Sequence, residues 1–142
     1  MFFQNDQLFL APEENILKRA KGNFAKQIFV FVLSEPEHPG NAGFLKKILV
    51  AAGLDLDTDA LLVEVSSSDR VSFLPAVKDK HAGHILVFGL SPKQLGLHAE
   101  IPTFLPYPFY GATFLFADKL SVLEPDKTLK AKLWQALRQL FL

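Results

Sequence analysis

The sequence predicts an α/β fold: a three-layer sandwich around a central, mostly parallel sheet of four strands. Three observations predict it. Short runs of β-branched and aromatic residues, each bounded by turn formers, recur along the chain. Some are apolar without alternation, as in Ile28-Phe29-Val30-Phe31-Val32-Leu33, which marks strands covered on both faces. Helical patterns lie between them, and such alternation implies right-handed crossovers between parallel strands.

In chain order, residues 13–21 read as a helix ahead of the first strand, which covers residues 27–33. Asn41 is placed to cap a helix over residues 42–52, where Phe44, Leu45, Ile48 and Leu49 make an apolar stripe and Gly53 marks the stop. The second strand is residues 60–65, and residues 72–80 form a weak helix interrupted by Pro75. The third strand, residues 84–88, leads into Ser91-Pro92, a cap followed by proline in the first turn of a short helix. Residues 101–105 form a weaker fourth strand. From Asp126 onward, Leu129, Leu133, Ala136, Leu137 and Leu140 recur at three- and four-residue spacing, the stripe of an amphipathic helix.

A chain of 142 residues suits one domain, assigned here to residues 1–142. It contains no cysteine, so disulfides and thiolate metal sites are excluded, in keeping with a reducing cytoplasm. Fifteen basic and fifteen acidic side chains cancel, which removes the broad attraction that non-specific duplex binding needs. Direct nucleic-acid binding is therefore expected to be weak or absent. Residues 1–6 lack the basic start of a signal peptide, and no apolar stretch nears the roughly eighteen residues of a membrane span, so a protein that stays off the membrane and is not exported is expected. Fourteen phenylalanines exceed what so small a core obviously needs, which raises the prospect of a covered surface.

Ligands in open α/β sheets sit beyond the carboxyl ends of the strands, which directs attention to residues 34–40, 66–70, 89–92 and 106–112. The first of these loops brings Glu35, Glu37 and His38 up to Asn41. Glu35 or Glu37 could act as a general base, with the helix start at Asn41 as an anion site; a solvated turn fits the same residues. Gly40, Gly43 and Gly53 do not make a dinucleotide fingerprint, and Ser66-Ser67-Ser68 lacks the glycines of a hydrolase elbow. The four histidines have no partners at metal-ligand spacing, so neither a metal nor a cofactor is expected. Trp134 suits a core or an interface equally well. Phe2, Phe3, Leu8 and Phe9 give residues 1–12 the character of an added edge strand or of a peptide that docks on another protein.

Taken in order, several segments resemble the uracil-DNA glycosylase superfamily. Ser34-Glu35-Pro36 and Gly40-Asn41-Ala42-Gly43-Phe44-Leu45 look like a shortened form of its first loop and helix entry. Asp59-Ala60-Leu61-Leu62-Val63-Glu64-Val65 and His84-Ile85-Leu86-Val87-Phe88-Gly89 are similar to its second and third strands, and Thr103-Phe104-Leu105-Pro106-Tyr107 matches the frame of a Thr-Tyr-His-Pro-Ser motif. The departures fall on the chemistry. Leu105 stands where the histidine that steadies the departing uracil would be, and Glu64 falls near the base-reading asparagine. The stacking phenylalanine has no counterpart between Glu37 and Gly40.

The resemblance implies a pocket that has lost its function, around Glu35, Pro36, Gly40, Asn41, Glu64, Ser66, Thr103 and Leu105. Within the superfamily the pattern is most similar to the non-catalytic psi subunits of bacterial DNA polymerase III, which implies a protein partner in a replication or repair complex. Phe2, Phe3, Leu8 and Phe9 would then dock on a clamp loader, and Trp134 on a closing helix would serve a second contact. A divergent glycosylase using Glu35 or His38, and a small-molecule-binding domain, are the alternatives.

Overall fold

The apolar run predicted to be covered on both faces does lie between two parallel neighbours. Strand β1 (Ile28–Leu33) pairs in parallel with β2 (Ala60–Val65) on one side and with β3 (His84–Phe88) on the other. Phe29, Val30 and Phe31 are wholly buried there. The computed structural model describes residues 20–67, 81–97, 100–109 and 111–142. Two further strands complete the sheet: the short β4 (Tyr107–Phe109), which runs antiparallel to β5 (Ala112–Ala117), while β5 runs parallel to β3. The order across the mixed five-stranded sheet is β2-β1-β3-β5-β4.

Side chains alternate between the faces with the two-residue period of a strand. Phe29, Phe31, Val63, Ile85, Val87, Phe114 and Phe116 share one face. Val30, Leu86, Phe88 and Leu115 share the other. Rings two residues apart stack along a strand, Phe29 on Phe31 at 5.5 Å and Phe114 on Phe116 at 6.3 Å. Five phenylalanines (29, 31, 88, 114 and 116) are thus fully buried in the sheet, so the phenylalanine content serves the core at least in part.

Four helices are described: α1 (Asn41–Ala51), α2 (Leu56–Asp59), α3 (Leu120–Leu123) and α4 (Lys127–Phe141). Their buried apolar residues, among them Leu45, Leu49, Leu56, Leu123, Leu133 and Leu137, all join the Val30–Leu86–Leu115 face. On the opposite face the described covering includes Ala20, Phe24, Leu90, the 3₁₀ turn Pro92–Leu95, Leu97 and the half-buried Ile101. The segment predicted as a helix over residues 72–80 lies outside the described residues. The helix ends follow simple chemistry. Asp126 accepts hydrogen bonds from the Thr128 and Leu129 amides at 3.0 and 3.1 Å, and Ser91 and Gln94 form a reciprocal capping box.

Four expectations need correction. Among the described residues the sheet has five strands and not four: residues 107–109, assigned to a loop, form β4, and residues 112–117, of which only Ala112 was assigned to that loop, form β5. Residues 101–105 are not a strand: Pro102 and Pro106 remove donors at either end, and Phe104 takes a left-handed φ of 63°. Asn41 does not cap α1. Gly40 holds the cap position, with no side-chain cap bond, and Asn41 lies inside the first turn. Residues 13–19 are outside the described set, but Lys21 is not helical; it bridges the outer edge of β2, exchanging hydrogen bonds of 3.0 and 2.8 Å with Leu62.

Candidate functional site

The strand order reverses direction between β1 and β3, and a ligand crevice in such a sheet belongs at the carboxyl ends of those two strands. Here the strand ends pack closely at Gly89. Gly89, directly after β3, has φ +84°, and a Cβ on it would sit 2.7 Å from Lys119 Cβ and 3.0 Å from Leu33 Cβ. Only glycine allows the loops after β1, β3 and β5 to come so near. Its amide donates to Ala117 O at 2.9 Å, which fixes the approach.

Beside this close packing lies Glu35, on the loop from β1 to α1. Asn41 Nδ2 donates to Glu35 Oε1 at 2.9 Å, and the Ser121 amide donates to the same oxygen at 3.3 Å. Ser121 Oγ donates to Glu35 Oε2. Partial burial pushes the Glu35 pKa upward, but the bonds from Ser121 Oγ, Ser121 N and Asn41, with the Lys119 charge, outweigh it and hold the carboxyl below its ordinary 4.5. Such a carboxylate favours its ionised form and accepts three hydrogen bonds. It is a poor proton acceptor, because taking a proton would cost it these bonds.

A cavity of about 210 Å³ adjoins Glu35. Its floor is apolar, from Val32, Leu45, Leu62 and Leu120, and its rim carries Glu35, Pro36, His38, Asn41 and Glu64. The structure therefore brings together Glu35, Pro36, Asn41 and Glu64 from the expected set, and puts Gly40 next to them at the start of α1. Ser66, Thr103 and Leu105 do not line this cavity. Leu105 is 57% exposed, in the turn before β4. The cause is the corrected strand assignment: the segment beyond the fourth parallel strand is residues 118–121, not 103–107, and it delivers Ser121 to Glu35. Ser121 is the site residue that sequence reasoning missed. Recognising Ala112–Ala117 as a strand would have pointed to it.

Glu35, Glu37 and His38 bring one ligand atom each within 4.8 Å of one another, and among the described residues they form the group that could hold a metal. Glu37 and His38 are exposed and Glu35 is already engaged, so the turn is accounted for without one. His84 lies at the other end of the sheet, its ring 4.7 Å from that of Phe141, and burial lowers its pKa from 6.5. Trp134 is half-buried in a small apolar groove of about 130 Å³ between α1 and α4, with Phe44 and Ile48. Phe2, Phe3, Leu8, Phe9 and His98 lie outside the described residues. Among those described, no helix is long and apolar enough to cross a membrane.

No family model matches this chain, and no curated protein matches it.

Proposed function

We propose that this chain is a non-enzymatic, cytoplasmic interaction protein on a uracil-DNA glycosylase-like scaffold, an accessory subunit of a bacterial replication complex of the psi type. One observation carries the non-enzymatic half. The carboxylate best placed for chemistry, Glu35, spends both oxygens on Ser121 and Asn41, next to strand ends that pack closely where Gly89 meets Leu33 and Lys119. A group that joins the β1–α1 loop to α1 and α3 in this way works as a structural tie. The replication half is supported by the resemblance, and by a zero net charge that suits a protein partner better than a duplex.

The test has two arms. Purified protein incubated with uracil- and hypoxanthine-containing strands should release no base; release that Glu35→Gln abolishes would overturn the non-enzymatic reading. Mixed with the clamp-loader complex of its source cell, the protein should co-elute in gel filtration at micromolar concentration. Separate elution removes the replication role. The 210 Å³ cavity favours a second reading, a small-molecule-binding domain, and a melting shift of several degrees with one member of a metabolite panel would support that instead.

A further inference from the structure

The loop from β1 to α1 is unusual in what holds it. Residues 36–40 are all exposed, so no buried side chain anchors them. Among the described residues, the side-chain hydrogen bonds that tie residues 34–40 to the rest of the molecule all run through Glu35. The same loop forms one wall of the 210 Å³ cavity, through Ser34, Glu35, Pro36, His38 and Pro39. We infer that this loop is a flap over the cavity, latched by Glu35 to Ser121 and Asn41, and that releasing the latch uncovers the apolar floor while the sheet stays folded. This goes beyond the interaction role proposed above and does not depend on it.

The parts of a hinged flap are present. Pro36 and Pro39 each fix a φ angle, so the loop swings as a unit more readily than it frays. Gly40 ends it as the cap residue of α1, its carbonyl accepting the Phe44 amide at 3.1 Å, and nothing lies within 4 Å of where its Cβ would be, so a turn of the chain there meets no neighbour. At the other end the Ser34 amide is bound to Val65 O at 2.8 Å, which fixes the fixed side of the hinge on the sheet. The flanking elements do not depend on the loop, since β1 is buried on both faces and α1 is held by Leu45 and Leu49. Local opening at a small fraction of the global unfolding free energy is what such a weakly anchored segment gives.

Amide hydrogen exchange tests this on the intact chain. The Ser121 amide bonds across the latch and the Asn41 amide bonds to His38 O across Gly40, so both lose protection when the flap opens. In Ser121→Ala, exchange at position 121 and at Asn41 should accelerate about ten-fold or more, while Ser34 and Leu54 keep their protection. Glu35→Gln, which keeps the side-chain shape but removes the charge, should give the same pattern. Exchange within about two-fold of the parent at both positions in both variants would overturn the proposal. So would acceleration that spreads equally to Ser34 and Leu54, since Glu35 would then hold the fold and not a flap.

Discussion

Ser121 donates two hydrogen bonds, one from its amide and one from its hydroxyl, to the carboxylate of Glu35, 86 residues earlier in the chain. The pair joins the loop after β1 to the first turn of α3, and with Asn41 it brings α1 into the same contact. A hydrogen bond to a charged acceptor is worth about 1.5–3 kcal/mol when well buried, and less at a half-exposed site. In a double-mutant cycle on Glu35→Ala and Ser121→Ala, urea unfolding should return a coupling of about 1 kcal/mol. Additive losses would mean that the two residues act separately.

Acid should weaken the fold in two steps. His84 has its pKa lowered from 6.5, so below pH 6.5 the unfolded chain takes up its proton first, and stability falls as pH falls through that window. Glu35, lowered from 4.5, contributes stability that is complete above 4.5 and lost as pH drops through its folded value. Urea midpoints measured across a pH series should show both steps. His84→Phe should flatten the upper step and leave the lower one in place.

Gly89→Ala should be among the most damaging single-methyl changes in the chain. The added carbon meets Lys119 and Leu33 at 3.0 Å or less, on a residue already at φ +84°. Backbone strain and overpacking each cost about 1–3 kcal/mol. A loss of about 2–4 kcal/mol in chemical denaturation is expected, against a gain of up to about 1 kcal/mol for Gly43→Ala, whose Cβ position is open inside α1.

Asp126→Ala removes the acceptor for two amides at the start of α4 and should cost about 1 kcal/mol. Asp126→Asn should restore most of it. Equal melting temperatures for the parent and the alanine variant would show that α4 is held by Leu133 and Leu137 alone.

What could be read from the sequence followed from local physics. β1 and β3 announce themselves because a strand buried on both faces must be largely apolar, β2 because Ala60–Val65 is an aliphatic run broken only by Glu64, and α4 because its leucine spacing repeats over four turns. β5 was obscured by its neighbours. Gly111 and the prolines at 102, 106 and 108 give the whole region a loop-like composition, although Phe114-Leu115-Phe116 is as apolar as β1. The site was half legible. Glu35, Pro36, Asn41 and Glu64 lie near one another because adjacent strand ends bring them there, which topology alone predicts. Asn41's choice of Glu35 over its own helix, and the arrival of Ser121, depend on contacts between distant segments that no local pattern encodes.

β4 has a proline at its centre, Pro108, and among the described residues forms one border of the sheet. Proline offers no amide hydrogen to a neighbouring chain, so a partner cannot extend the sheet across that border by adding a continuous strand. Recognition on that side has to be made by side chains, with the specificity and the sensitivity to single substitutions that this entails. Two copies of the chain meeting border to border gain no ladder there to hold them.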